Sequence, residues 1–507
     1  MLVAAVSSWP SRLLEHRLAV ATSLLILVTA AAACAAAVVS PVYLVAPIVL
    51  LPVAASWVYP KSVWPFLPLT TIVISPSIFV AADGEPFPYA DAIQKSILIV
   101  AGLCLALAFG PRWSWLGAAA LTLVGVASLA SILNIGGRVE VGSEIIARAT
   151  AGYCVPFLFL FVNWRRLSLQ RGLEYIAMLP LMCLVAGVVL QLAGVKGPAY
   201  RAPSPGIYQI DLDQNVPRLQ GALIPAHLGE LAVVALASAL CLAASSSTYR
   251  PFRVYLWVVL NFVILLATLT RAEIAAGIML MITFVVAQAL GPGRVRSVGA
   301  RRATWLLATM IVASCAIAAP AIIKRTTGSY HEPNFNTSGR KYATEFFYGF
   351  VAENPLLGKG LGFSATAVSI YSPPNVSEAF QHAPHNEYLR FTIDGGIFFA
   401  IGLFLVIISV FILAACAQSG VVRIIVIALA VGTLALSFVD NTFSTVQFSV
   451  SVIIVLGLLA SHPHSAGHLP GRHRATNRRS GSKQNVLESA HSQSSWGTDS
   501  NAAASPG

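Results

Sequence analysis

Long runs of apolar residues, separated by short polar segments, repeat along most of this chain. Many of the runs hold about 17–24 residues, the length that a helix needs to cross roughly 30 Å of hydrocarbon. The pattern predicts an all-α integral membrane protein with about fourteen transmembrane helices, which together form a polytopic membrane domain over residues 1–461. Their predicted bounds are 18–39, 41–58, 63–81, 94–110, 114–134, 145–163, 174–194, 222–244, 253–270, 272–290, 303–323, 395–417, 421–440 and 443–461.

The composition agrees with this interpretation. Hydrophobic residues make up 57% of the chain and charged residues 10%, with a mean hydropathy of +0.76, whereas an ordinary soluble domain has about 25% charged residues. The net charge of +12 comes mainly from Lys and Arg in short loops and in the tail. Because no basic stripe with interleaved aromatic residues occurs, we expect a lipid bilayer and no nucleic acid as a partner.

The basic loops predict the orientation of the helices. The loops at 164–171, 249–253 and 293–302 all fall on one side of the membrane under this helix count. The positive-inside rule assigns that side to the cytoplasm, so both termini are expected there. The tail, 462–507, is rich in His, Arg and Ser and lacks apolar periodicity, which predicts a disordered cytoplasmic segment.

Two longer polar segments are expected on the opposite, extracytoplasmic side. The first, 195–221, is rich in Pro and Gly and predicts an irregular loop. The second is a large loop at 324–394, between predicted helices eleven and twelve. Within it, Tyr342, Phe346 and Phe350 recur at four-residue spacing, which predicts a helix with one aromatic face.

Arginines near predicted helix ends are the first candidate functional groups, since an unpaired charge is costly in a membrane. Arg271 lies between two apolar runs, and Arg218 lies at the outer end of the eighth predicted helix. Arginines that converge from different loops would bind a phosphate group, because guanidinium forks match phosphate oxygens. Arg271 also fits a snorkelling end residue, or a local ion pair with Glu273.

A second group of candidates lies in the segment PHNEY. A neutral His385 imidazole can accept a proton from a hydroxyl group near neutral pH, and Asn386 could orient that hydroxyl or the imidazole. The structural alternative is a pair that only caps the start of the twelfth helix. A metal site that combines the two histidines His382 and His385 with Glu387 lacks a further ligand at convincing spacing, so we expect no metal. P-loop, GxSxG, HExxH and dinucleotide-binding motifs are absent from the sequence.

Four stretches, in order, resemble the O-antigen ligase/polymerase family of bacterial membrane proteins. They cover about 215–410 and read RLQGALIPAHLGELAVV, LTLTRAEIAAG, RKYATEFFYGFVAENPLLGKGLG and HAPHNEYLRFTIDGGIFFAIGLF. The resemblance implies a GT-C-like fold in the cell (inner) membrane. It also implies an enzyme that joins glycans, carried on a polyprenyl diphosphate, to a glycan or lipid acceptor at the outer face of that membrane. The implied reaction inverts the anomeric centre, needs no metal or other cofactor, and takes place among other proteins of envelope polysaccharide assembly.

The resemblance also assigns roles to individual residues. Arg218 and Arg271 would hold the diphosphate, with Arg340 as a third candidate. His385 would activate or position the acceptor hydroxyl, with Asn386 beside it. The family often has His-Pro-Asn after the Arg-x-x-Gly segment, whereas this chain has Pro-Ala-His, so we interpret His227 as structural. The motifs do not separate a ligase from a polymerase.

Two other classes of function remain open from the sequence. A transporter or flippase for lipid-linked sugars or polysaccharide would also have many helices, but such proteins place ionisable groups near the membrane midplane and often show two similar halves. A non-catalytic scaffold of an envelope assembly is the third class. The depth of the charged residues separates the first two classes, and transfer activity after substitution of His385 separates the first from the third.

Overall fold

The structure is a computed structural model. It describes residues 53, 55, 56, 64–76, 90–135, 141–192, 210–213, 216–245, 251–290, 298–327, 340–371 and 383–463. These residues belong to one compact unit, Met1–His464. The first predicted span, nearly all of the second, and the tail beyond residue 463 lie outside the described residues.

The described residues form thirteen α-helices and one short β-hairpin. The helices are α1 (Ala90–Phe109), α2 (Trp115–Ile132), α3 (Ser143–Leu158), α4 (Leu169–Leu192), α5 (Pro225–Ser245), α6 (Pro251–Ala267), α7 (Arg271–Leu290), α8 (Val298–Thr326), α9 (Arg340–Glu353), α10 (Phe363–Tyr371), α11 (Glu387–Ala417), α12 (Gly420–Val439) and α13 (Val446–Ser461). The hairpin pairs β1 (Ile210–Asp213) with β2 (Val216–Leu219) in antiparallel register.

The prediction of an all-α membrane protein is confirmed. Nine of the described helices are long and apolar enough to cross a membrane, and shorter apolar helices occur at Phe252–Ala267 and Val446–Ser461. These eleven helices coincide with the fourth to fourteenth predicted spans. The chain is therefore a multi-pass membrane protein.

The third predicted span, 63–81, differs from the structure in its described part. Residues 64–76 form two short 3-10 helices, Trp64–Phe66 and Pro68–Val73. Pro65 and Pro68 each lack a backbone N–H, which prevents a continuous α-helical hydrogen-bond ladder over so short a stretch. The loop predicted to be irregular at 195–221 also gains structure, because its described residues include the β1–β2 hairpin.

Helix α5 lies at the centre of the helix bundle. Of its membrane-length window, 83% is buried by protein, against 11% for α8. Helices α4, α6, α7, α12 and α13 pack around it, and its Leu, Val and Ala side chains interlock with theirs. Large apolar side chains on the outer helices, such as Leu192 and Ile317, are exposed, as expected of surfaces that face lipid hydrocarbon.

A small lobe formed by α9, α10 and the start of α11 has its own apolar core. Phe347 and Phe350 of α9 are buried against Phe363 of α10 and Ile393 of α11, with Phe346 partly buried beside them. The predicted helix with an aromatic face is therefore present. The side chains of Phe346 and Phe350 pack within the lobe. The side chain of Tyr342 is not among those that the structure describes.

Gly396 divides α11 into a polar first part and an apolar membrane span. Its φ of +82° is non-helical, and its Cα faces the backbone of Leu356 so closely that a methyl group would overlap it. Only glycine fits both the left-handed backbone and this contact. The kink separates the start of α11, at Glu387, from the predicted span at 395–417.

Candidate active site

Several helix ends meet on one side of the bundle. The starts of α5 and α7 meet the end of α12 there, since Glu230, Glu273 and Asp440 cluster. The start of α11 joins them, because His385 contacts Asp440. The sequence places polar or charged residues at each of these ends. Helix ends also expose backbone groups that lack partners within the helix, so this side of the bundle is suited to bind polar ligands.

Asp440 joins His385 to Arg340. Its Oδ1 lies 3.2 Å from Nδ1 of His385, and its Oδ2 accepts a hydrogen bond of 3.0 Å from the Arg340 guanidinium. Asp440 follows the last residue of α12 and is buried. The side chains of His385 and Arg340 retain 23% and 33% of their exposure. The Asp440 carboxyl group is therefore buried, while the side chains of His385 and Arg340 are accessible from the surface.

The electrostatic environment keeps Asp440 ionised. Burial alone would raise the pKa of its carboxyl group, but the hydrogen bond with His385 and the charge of Arg340 lower that pKa to about 2. A carboxylate that accepts from Nδ1 fixes the imidazole tautomer. The remaining nitrogen, Nε2, then carries the lone pair that accepts a proton.

The backbone around His385 is unusual. His385 has a φ of +47°, a left-handed conformation that few residues other than glycine adopt. Such strained residues concentrate at functional sites. The next residue, Asn386, is the N-cap of α11, and its side-chain oxygen accepts a hydrogen bond of 3.0 Å from the backbone N–H of Leu389. Asn386 thus fixes the start of the helix beside His385, and its predicted role toward substrate stays a prediction.

The loop between α12 and α13 holds α11 at a second point. The backbone N–H and the hydroxyl group of Ser444 both donate to Glu387 Oε1, at 2.7 and 2.8 Å. Arg390 donates to the Ser444 hydroxyl oxygen at 2.5 Å. Through Asp440 and Ser444, one short loop therefore contacts both His385 and Glu387, the residues on either side of Asn386.

Arg218 is connected to the turn that precedes Arg271. Arg218, on β2, is buried, and its Nε donates to the backbone carbonyl of Thr268 at 3.1 Å. The hydroxyl groups of Thr268 and Thr270 lie 2.7 Å apart, and Arg271 is the first residue of α7. The two predicted phosphate-binding arginines thus sit on structural elements that contact each other.

An apolar groove opens beside Arg218. It has a volume of about 560 Å³ and lies between β2, α6 and α8. Its walls are almost entirely apolar, with Val263, Leu266, Ile317 and Ala318 among the lining residues. A groove with hydrocarbon walls and an arginine, Arg218, among its lining residues suits an amphiphile with an anionic head.

Three buried carboxyl groups meet next to His385. One oxygen each from Glu230 on α5, Glu273 on α7 and Asp440 lie within 4.8 Å of one another. Gly229 permits the close approach of α5 and α7 at this level, because a methyl group there would overlap the Thr270 hydroxyl. Glu273 links α7, which carries Arg271, to the aspartate that holds His385.

The structure therefore assembles the five predicted site residues around one region. Asp440 directly joins His385 and Arg340, Asn386 is adjacent in sequence, and Glu273 and Thr268 connect the elements that carry Arg271 and Arg218. His227 lies close enough to Asp440 and His385 for their charges to interact. His382 lies outside the described residues. The sequence interpretation missed Asp440, Glu230 and Ser444, although a carboxyl group inside an apolar run, such as that of Glu230, is itself a signal.

Comparison with known families agrees with the assignment made from the motifs. A family model described as O-Antigen ligase matches residues 256–404. This stretch is less than a third of the chain, runs from α6 into α11, and includes Arg271, Arg340 and His385 but neither Arg218 nor Asp440. No curated protein matches the chain. The match confirms the predicted resemblance to the O-antigen ligase/polymerase family, with its general role in polysaccharide biosynthesis as a membrane ligase or polymerase that uses lipid-linked glycans.

Proposed function

We propose that the protein is a membrane glycosyltransferase that transfers a glycan from a polyprenyl diphosphate to an acceptor hydroxyl. The transfer takes place at the outer face of the cytoplasmic membrane. The observation that carries this proposal is the arrangement His385–Asp440–Arg340, at helix ends within or next to the stretch that matches the family. An oriented imidazole with a free Nε2, close to several arginines, suits attack by a hydroxyl group on an activated sugar phosphate.

The proposed reaction requires one bond to form and one to break. The acceptor oxygen attacks the anomeric carbon, and the bond from that carbon to the diphosphate oxygen breaks, so the diphosphate leaves with the electron pair. The hydroxyl proton moves to Nε2 of His385. Attack opposite the leaving group inverts the anomeric configuration. The resemblance implies that this step needs neither a metal ion nor another cofactor.

Arginines would stabilise the diphosphate as its negative charge increases. Arg218 and Arg271 are the first candidates, and Arg340 is a third that also orients Asp440. Guanidinium groups held in a region of low dielectric constant stabilise such charge strongly and need little reorganisation. The apolar groove beside Arg218 would take part of the polyprenyl chain, so that head and tail of the carrier bind at adjoining surfaces.

The position of the charged groups supports a transferase over a transporter. Arg271 and Arg340 are the first residues of α7 and α9, and His385 lies two residues before α11. Arg218 lies on β2, ahead of α5. Transporter sites, in contrast, lie near the midplane. At the other end of the bundle, Arg112 donates to Ser461, and Arg423 donates to the backbone of Ala415 and Gln418. This distribution supports the proposed orientation, with the basic end in the cytoplasm.

The test is the state of lipid-linked glycan in cells that lack this protein. Wild type, His385→Asn, Arg218→Ala and Arg271→Ala are reintroduced, each at matched amounts in the membrane. We expect wild type to restore the normal surface glycan and the three variants to leave glycan on its carrier. Short single units on the carrier indicate a polymerase, and full-length chains indicate a ligase.

Arg423→Ala is the matched control, because Arg423 contacts only backbone carbonyls of its own helix connection in the described structure. It should restore the normal profile. Normal transfer by His385→Asn, Arg218→Ala and Arg271→Ala alike would refute the proposed chemistry. A transporter or a scaffold would then be the better interpretation.

A further inference from the structure

We propose that Glu230, Glu273 and Asp440 bind a hard divalent cation, of the Mg²⁺ or Ca²⁺ class, beneath His385. This site goes beyond the glycan transfer proposed above and does not depend on it. The transfer step keeps its metal-free form, and we assign the cation a structural role. The proposal stands on the geometry of the three carboxyl groups and on oxygen atoms that lack partners.

The spacing of the three oxygens fits a shared ion. All three lie within 4.8 Å of one another. Oxygen ligands lie about 2.0–2.1 Å from Mg²⁺ and about 2.3–2.6 Å from Ca²⁺, so two ligands on opposite sides of an ion are separated by roughly 4–5 Å. The three groups come from α5, α7 and the end of α12, so a bound ion would join three separate parts of the bundle.

Unsatisfied buried oxygens are the second observation. Glu230 and Glu273 are only 1% and 2% exposed. Within the described part of the chain, Oε2 of Glu230 and Oε1 of Glu273 have no hydrogen-bond partner. Each carboxylate oxygen that loses water without gaining a partner destabilises the fold. Two carboxyl groups of one cluster that each keep an unpartnered buried oxygen therefore indicate a missing ligand.

The basic side chains beside the site already contact Asp440. Arg340 and His385 contact its two oxygens, and no ion pair to Glu230 or Glu273 occurs among the described residues. His227 also faces this region, and its Nδ1 has no hydrogen-bond partner there. Asp440 is thus the member of the cluster that is already paired, and Glu230 and Glu273 are the members that a divalent cation would serve.

The ligand chemistry selects the class of ion. Three carboxylates are hard oxygen ligands, which favour Mg²⁺ and Ca²⁺, whereas sites for zinc or copper are built from thiolate and imidazole groups. The ion would hold Glu230 and Glu273 against Asp440. It would thereby hold α5, α7 and the end of α12 together, which is a structural role.

The test measures binding and stability of the full-length protein purified in detergent. Wild type is treated with EDTA, dialysed, and then heated with and without 1 mM (about physiological) CaCl₂ or MgCl₂. We expect at least one of the two ions to raise the unfolding temperature by a few degrees, on the order of 2–4 °C. Elemental analysis of protein purified without chelator should find about one such ion per chain.

Glu230→Gln and Glu273→Gln should each lose this response, because the amide removes a charge but keeps the shape. Glu345→Gln is the matched control, since Glu345 is an exposed carboxylate on α9; it should respond like wild type. If either Gln variant fails to fold, the thermal response of the wild type to added ions and its ion content test the proposal by themselves. A wild type that contains no ion and ignores both salts would overturn the proposal and indicate a shared proton. A full response retained by both Gln variants would overturn it as well.

Discussion

Replacement of Asp440 by Asn tests the central geometry of the site with the smallest change in shape. In the native protein, the Asp440 carboxylate accepts from Nδ1 of His385 at 3.2 Å and from Arg340 at 3.0 Å. An amide keeps the volume but loses the charge, and its NH₂ group cannot accept a hydrogen bond. With its single oxygen on the Arg340 guanidinium, the amide presents its NH₂ group to Nδ1, which favours the tautomer with the proton on Nε2.

The structure gives a magnitude for this change. Lowering of the Asp440 pKa from its ordinary 3.8 to about 2 corresponds to about 2 kcal/mol in favour of the ionised, folded form. We expect Asp440→Asn to lose stability of this order at neutral pH. A general base contributes about 10²–10⁴-fold to a reaction rate, and a comparable change of tautomer in a catalytic triad costs about 10⁴-fold. The transfer rate should therefore fall on the order of 10²–10⁴-fold per folded molecule.

The assay follows glycan transfer from purified lipid-linked donor to acceptor in proteoliposomes, with folded protein quantified by its unfolding transition. We expect the loss in kcat, because the interaction acts on the reacting proton. Asp394→Asn is the matched control: Asp394 is also buried, but it accepts from the Tyr153 hydroxyl at 2.6 Å and from the backbone of Ser364. It should lower stability and leave kcat of the folded fraction within a few-fold. A rate for Asp440→Asn within threefold (about 0.6 kcal/mol) of wild type would refute the role assigned to Asp440.

Three further predictions follow from the backbone and from the acid. Gly396→Ala should prevent stable insertion or lower the unfolding temperature sharply. Gly125→Ala is the control, because a methyl group there meets nothing within 4 Å, and it should be neutral or slightly stabilising. Equal unfolding temperatures of the two variants would contradict this prediction. His385→Asn should be more stable than His385→Ala by about 1 kcal/mol, because Asn tolerates positive φ. Denaturant titration measures this difference in stability, and both variants should lack transfer activity. The stabilisation from Asp440 should be complete above about pH 4 and disappear as pH falls through about 2, so acid unfolding of Asp440→Asn should show a weaker pH dependence there than wild type.

Most of the membrane architecture followed from hydrophobic run length. Eleven predicted spans coincide with described apolar helices because the bilayer imposes one length on every crossing segment. The prediction was wrong for the described part of 63–81. There Pro65 and Pro68 interrupt the α-helix that the apolar composition predicts, and two short 3-10 helices form instead. The kink at Gly396 was also missed, since a glycine in an apolar run carries no sign of a contact with the backbone of Leu356.

The candidate site was only partly predictable. His385 and the arginines stand out because they are polar residues beside apolar runs, and their motifs are local. Asp440 lies 55 positions after His385, at the end of a predicted span. Nothing local distinguishes it from an ordinary helix-end residue. Pairing over such a distance is set by how α11 and α12 pack, and a single sequence does not contain that information.

The loop at 440–445 shows how packing and chemistry are connected in this protein. Asp440 holds the His385 ring, while Ser444 accepts from Arg390 and donates to Glu387, so the loop fixes the imidazole and the start of α11 together. His385 itself occupies a backbone conformation of positive φ, which persists only when surrounding contacts maintain it. The orientation of Nε2 is therefore a property of two packed helices and their connection. A change at Ser444 should alter transfer, although its hydrogen bonds in the described structure go to Glu387, Arg390 and Asn441 and not to His385.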